Sequence, residues 1–212
     1  MSQLVSVAEF RTRFGLNDAP DVNAYVAASL LAVTPQLEEI LQTQFQYKGH
    51  TDQYWVNSKV FPFTDQHLKL RLTSGFVDPL VTVVIKNALF LEELASSIAL
   101  PLTNIKIDNE QGLVYITQIE TFSDLFRLNV LVQNSFVQVN YSAGFQTQAT
   151  EFGPVFMGVP SWLKEACYMM ARREYLAATA CKKEDLAQIN LLTKPYLDSK
   201  IRFYPSALRP LI

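Results

Sequence analysis

The hydrophobic period of this chain changes twice. Up to about Gln46 the apolar residues recur at helical spacing, from there to Phe145 they mostly alternate, and from about Ser161 the helical spacing returns. No stretch of linker composition separates the three parts. A sheet embedded in this way must hand the chain back to helices at both ends, and those helices should pack on each other. The expected fold is α+β: a bundle formed by the N- and C-terminal helices, a β-rich sheet or sandwich inserted between them, and an extended C-terminal arm. The boundaries fall at 1–45, 46–145, 146–194 and 195–212.

Local signals place the elements. In "SVAEFRTRFGL" Ser6 and Glu9 form a capping box, and Gly15 suits the helix end. The second helix is expected to be capped by Asn17, Asp18 or Asp21. Its core face reads Val22, Tyr25, Val26, Ser29, Val33, Leu37, Ile40 and Leu41, with Pro35 expected to kink it or split it in two. "LKLRL" alternates as a half-buried strand, "LVTVVIKN" is a β-branched run, and "TNIKIDNEQGLVYIT" reads as a hairpin turning at Asn109 to Gly112. "RLNVLVQ" and "FVQVNYS" are further strands, the latter with Val137, Val139 and Tyr141 on one face; the stretch 89–98 is ambiguous between a helical turn and a strand with a loop.

A helix from about Ser161 to Thr179 follows. Leu163, Ala166, Met170 and Ala177 make its core stripe, widened by Trp162, Cys167 and Met169. Lys164, Tyr168, Arg172 and Tyr175 lie on a neighbouring face. That face fits a helix meeting two surfaces, or tyrosines lying at the protein's own edge. "KKEDLAQINLLTKPYL" is a further helix ending near Lys194, because Pro195 follows. The tail, "DSKIRFYPSALRPLI", is too short for a core and too apolar for a solvated terminus. Ile201, Phe203, Tyr204, Leu208, Leu211 and Ile212 are therefore expected to bury against another chain.

Composition narrows the class. Hydrophobic residues make up 49% and charged residues 18% of the 212, a low charge content that fits surface covered by partners. No apolar run is long enough to span a bilayer, so no membrane role is expected, and the first residues lack the layout of a secretory signal. Residues 1–163 carry 9 basic and 15 acidic groups, a balance of −6, whereas 164–212 carry 9 and 5, a balance of +4. A basic quarter on an acidic body is a solvated surface, a nucleic-acid contact or a dock for an acidic partner.

Chemistry is hard to find. His50 and His67 are the only histidines and sit in polar loop-like surroundings. Cys167 and Cys181 cannot by themselves make a zinc site. "DNEQG" lacks the remaining ligands of a calcium loop, and neither a nucleophile elbow nor a phosphate loop is present. The expectation is a protein with no catalytic residues, no metal and no cofactor.

The order of elements resembles the head–tail connector (adaptor, or head-completion) proteins of tailed bacteriophages. The likeness rests on "LVSVAEFRTRFGL…DVNAYVAASLLAVTPQLEEILQTQF", on "YWVN…LKLRLTSGFVDPLVTVVIKN", and most distinctively on "VQVNYSAGF…VPSWLKEACYMMARREYL", a strand closing in an aromatic–small–Gly signature before Val-Pro opens an Ala-rich helix. It spans most of 4–180. The resemblance implies a structural virion protein, made in the host cytoplasm and located at the head–tail junction. It implies self-assembly into a ring, commonly a dodecamer, below the portal protein. Such a ring extends the channel through which DNA passes without sequence-specific binding, and offers a surface to a neck or tail protein. On that reading Tyr168 and Tyr175 meet neighbouring subunits, and Arg172, Arg173, Lys182 and Lys183 meet an acidic surface or line the channel. The alternatives are a neck or tail-completion protein and, from another class, a host-type ligand-binding protein or enzyme subunit.

Overall fold

The computed structural model describes residues 2–56, 68–78, 82–87, 97–99, 103, 105–116, 135–179, 195, 196 and 198. The fold is α+β. Its described elements are α1 (Val7–Phe14), α2 (Pro20–Leu41), β1 (Lys48–Val56), β2 (Leu68–Arg71), β3 (Thr82–Asn87), β4 (Ser97–Ala99), β5 (Ile105–Asp108), β6 (Leu113–Ile116), β7 (Ser135–Ala143), β8 (Thr147–Gln148), β9 (Val155–Phe156) and α3 (Ser161–Ala178). The chain divides into two compact units, with the divisions at Gln46/Tyr47 and Gly144/Phe145. The sequence expectations for "RLNVLVQ" and for most of the helix after Thr179 lie outside the described residues, as does most of 89–98, of which Ser97 and Ile98 belong to strand β4. Of the expected arm, 195–212, the described residues Pro195, Tyr196 and Asp198 are helical and not extended, because proline is tolerated in the first turn of a helix, and the Tyr196 hydroxyl donates to the Trp162 carbonyl at 3.2 Å.

The helical unit begins as its sequence dictates. The Ser6 hydroxyl accepts from the Glu9 N–H at 3.2 Å, the Glu9 carboxylate accepts from the Ser6 N–H at 2.9 Å, and Gly15 ends α1 at φ 62°. The start of α2 differs from expectation. Ala19 is its N-cap and Pro20 its first residue, while Asp18 accepts from the Asn23 side chain at 2.9 Å and pairs with Arg11. Proline has its φ preset for a helix and no N–H to satisfy there, so it can open the helix without a capping side chain.

The helix is also not split at Pro35. That residue lies on the exposed face, where water can satisfy the carbonyl its ring leaves unpaired. The buried residues of α2 are Asn23, Val26, Ser29, Leu30, Val33, Thr34 and Leu37. Tyr25 and Ile40, expected in the core, are exposed. Because α2 is apolar nearly all round, periodicity alone could not fix which stripe faces inward.

In α3 the buried set is Leu163, Ala166, Cys167, Met170 and Ala171, with Ala177 exposed and Trp162 and Met169 half-buried. Phe45, Phe145 and Phe156 meet with centroids 6.0–6.3 Å apart, beside a fully buried Gln3 whose backbone bonds Pro154 and Phe156.

Among the described residues the β unit contains two antiparallel sheets, ordered β1-β7-β3-β4 and β2-β6-β5. Strand β7, with β1 on one side and β3 on the other, runs Lys48↔Ala143 to Val56↔Ser135 and Thr82↔Asn140 to Asn87↔Ser135. The expected hairpin is present, with Asp108↔Leu113 closing the turn at Asn109 to Gly112. Inward residues of both sheets, Tyr54, Val83, Val137, Val139 and Tyr141 from one and Leu70, Val114 and Ile116 from the other, form one core.

Candidate functional site

Two places gather polar or aromatic side chains beyond what a core requires. The first is inside the β unit. Strand periodicity puts Asp52 and Tyr54 on the same inward face of β1, and Tyr141 on the inward face of β7. Asp52, only 6% exposed, accepts from the Thr73 N–H at 2.7 Å, the Thr73 hydroxyl at 2.8 Å and the Tyr141 hydroxyl at 2.9 Å. Tyr141 in turn accepts from the Ser74 N–H at 3.2 Å. Tyr54 donates to the Arg71 carbonyl at 2.7 Å and lies 3.5 Å from Asp52. Burial, followed by the Asp52 charge, pushes both tyrosine hydroxyls above the usual phenol range, so both stay protonated donors.

The consequence is mechanical. The segment Leu72–Val77 follows β2 without being a strand, and it is pinned along its whole length. Leu72 and Val77 donate to the carbonyls of Gly112 and Asn109 at 2.8 Å each, and Thr73 and Ser74 are held by Asp52 and Tyr141. Gly112 has φ 62°, and a Cβ there would come within 2.5 Å of the Ser74 carbonyl oxygen. His50 stacks on Tyr141, with centroids 5.1 Å apart and planes at 11°. Burial, then Lys48, lowers its pKa, partly opposed by Asp52. The ring is thus held in its neutral form at neutral pH, against an aromatic face rather than against a carboxylate.

The second place is the face of α3 that sequence marks by Lys164, Tyr168, Arg172 and Tyr175. Helix α1 lies on it. Phe10 is 6.3 Å from the Tyr168 ring and 6.4 Å from Tyr175, and Phe14 is 6.2 Å from Tyr168. Arg13 sits 4.6 Å over Tyr168 while both its bonds to Glu165 are 2.6–2.7 Å. Arg172 is exposed and lies 5.0 Å over Phe14. Lys164 pairs with Glu9 at 3.0 Å. Arg173 bonds Glu174 and reaches Gln36 of α2 at 3.3 Å. Four of the residues marked for partners, Tyr168, Arg172, Arg173 and Tyr175, therefore all have neighbours within the chain. Lys182, Lys183, Ile201, Phe203, Tyr204, Leu208, Leu211 and Ile212 lie outside the described residues, as do His67 and Cys181.

No protein-family model matches the chain, and no curated protein matches it. Among solved structures it is similar to one described as "Neck of empty GTA particle computed with C6 symmetry", with 15% identity, a TM-score of 0.40, and 81% of this chain and 77% of that chain covered.

Cys167 is fully buried, and burial pushes its thiol up to about 12. Such a thiol is not a nucleophile at neutral pH. Among the described residues no group of three His, Cys, Asp or Glu could hold a metal ion, and no helix is long and apolar enough to cross a membrane. Sequence reading missed Asp52, Tyr54, Thr73 and Ser74. No local signal marks them, because Lys48 and His50 share the same alternating positions of β1 with Asp52 and Tyr54.

Proposed function

We propose that this chain is a structural connector of a tailed-phage-type particle. It forms a ring below the portal, lengthens the DNA channel and presents the surface to which a neck or tail protein attaches. The observation that carries the reading is the junction from β7 to α3, where the resemblance to connector proteins is most distinctive. There β7 ends at Ala143, Gly144 takes φ 99°, and the Phe145 N–H donates to the Phe45 carbonyl at 2.6 Å. The chain thus leaves the helical unit at Phe45 and rejoins it beside the same residue.

Catalysis has no place in this proposal. The most buried carboxylate described, Asp52, is occupied by donors of its own unit, and the described histidine is stacked and neutral. Assembly supplies the mechanism instead. Head-to-tail contacts close a ring, and Arg172, Lys182 and Lys183 contribute charge toward the portal, a neighbour or the channel. Arg173, tied to Glu174 and Gln36, contributes less.

Native mass spectrometry and electron-microscope images of the purified chain, alone and mixed with the portal protein of the same particle, test this. Annular particles and a stable portal complex are the expected result. A chain that neither forms rings with portal present nor binds it would overturn the proposal.

A further inference from the structure

Helix α2 has an open side that is unlike the rest of the described helical surface. Between Asp21 and Glu38 it carries no charged residue. Its exposed side is formed by Tyr25, Ala28, Ala32 and Pro35, with Ile40 beyond, and Tyr25 and Ile40 are 47% and 38% exposed. The only charges on that side are acidic and stand at its two ends, Asp21 and Glu39. By contrast, the open sides of α1 and α3 carry Glu9, Arg13, Lys164, Glu165 and Arg172. A solvated helix face is normally polar, and a continuous apolar one marks a surface that something covers.

We infer that this face of α2 receives the segment 200–212 of a second copy of the chain. Three properties fit the segment to the face. It is apolar where the face is apolar, through Ile201, Phe203, Tyr204, Leu208, Leu211 and Ile212. Its only charges are basic, Lys200, Arg202 and Arg209, whereas those of the face are acidic. The spacings also agree. Asp21 and Glu39 are separated by about 27 Å along a helix, and an extended chain puts Arg209 about 23 Å from Arg202 and about 30 Å from Lys200. Pro205 and Pro210 suit this role, because a helix side offers no backbone partners and proline brings no N–H that would need one. The second copy follows from the connector proposal, in which each subunit meets its neighbours head to tail. This contact deepens the connector proposal by naming a subunit interface, but it needs no portal and is tested without one.

The test pairs two full-length variants. Ala28→Arg with Ala32→Arg blocks the face at exposed positions where arginine is a good helix former. Arg202→Glu with Arg209→Glu reverses the segment. Sedimentation velocity across concentration should show self-association of the parent weakened at least tenfold in each variant alone, with the circular dichroism spectrum unchanged. An equimolar mixture should form a one-to-one heterodimer, because one variant keeps an intact segment and the other an intact face. Adding Asp21→Arg and Glu39→Arg to the reversed segment should restore association. A mixture that stays monomeric, a variant that associates like the parent, or a parent that is monomeric at hundreds of micromolar would each overturn the inference. Failure to bind portal with this complementation intact would count against the connector proposal alone.

Discussion

Replacing Asp52 with alanine should destabilise the β unit by about 2–4 kcal/mol, and the size follows from the donors left behind. The Tyr141 hydroxyl is buried, and without Asp52 it keeps its bond from Ser74 but has no acceptor for its own proton. A buried donor stripped of its partner costs about 1–3 kcal/mol. Thr73 is exposed, so water can replace much of what it loses, and its two bonds should add about 0.5–1.5 kcal/mol. Relief from burying a carboxylate works in the opposite direction, which keeps the total from reaching the sum of the larger figures.

The decisive comparison is with Tyr141→Phe, which removes the hydroxyl that Asp52→Ala would strand. If that hydroxyl carries most of the cost, the double variant should be less destabilised than the sum of the singles by about 1 kcal/mol or more. Each unit holds one tryptophan, Trp55 and Trp162. Denaturant titration of a Trp162→Phe background, followed by Trp55 fluorescence, therefore reads the β unit by itself. In thermal melts the same loss corresponds to about 10–25 °C for a unit of this size. A change within 0.5 kcal/mol for Asp52→Ala, or strict additivity with Tyr141→Phe, would refute the argument that the donors depend on this carboxylate.

Gly112→Ala should cost several times more than Gly15→Ala in the same melts. Both glycines are left-handed at φ 62°, worth about 1–2 kcal/mol each, but only at Gly112 does a Cβ meet backbone, the Ser74 carbonyl at 2.5 Å. Phe10→Ala should destabilise the helical unit by about 3–5 kcal/mol, whereas Arg13→Ala should cost about 1 kcal/mol or less and lose its effect in high salt, because its ion pair is exposed. His50→Gln should flatten the pH dependence of stability in mildly acid solution. The folded-state pKa of His50 lies below the ordinary 6.5, so its contribution is complete above that value and is lost as pH falls toward the folded pKa. Urea titrations at pH 7.5 and 5.5 should therefore differ less for the variant than for the parent, and an equal difference in both would remove His50 from the account.

Much of the fold was legible because its signals are local. Ser6, Glu9 and Gly15 act within one helix, and the turn from Asn109 to Gly112 acts within one hairpin. The alternation that put Val137, Val139 and Tyr141 inward is a property of β7 alone. The errors have long-range causes. Tyr25 and Ile40 share the helical spacing of the core residues because α2 is apolar on most sides, and which side is buried depends on how α3 packs. The flanking face of α3 was readable as a surface with a partner, but not that α1 would cover it, since Phe10 and Tyr168 are far apart in sequence. The polar node was hidden for the same reason. Asp52 finds Thr73 and Tyr141 through pairing that only tertiary structure supplies, and a lone Asp in "GHTDQYWV" gives no hint of burial.

Strand β7 is the last described strand of its sheet in sequence yet central in space, paired with β1 on one side and β3 on the other. The pairing of Lys48 with Ala143 closes a long loop, and its entropic cost must be met before the sheet gains from it. Once β7 is in place, Gly144 donates to the Phe76 carbonyl, and the next residue, Phe145, donates to Phe45. The two chain crossings are then fixed side by side by the Phe45–Phe145 bond and by the ring contacts of both residues with Phe156. Loop length between the crossings enters the closure cost only logarithmically. A fold with its crossings secured in this way can accept changes of length in the loops of its insertion while the packing of α1, α2 and α3 stays as it is.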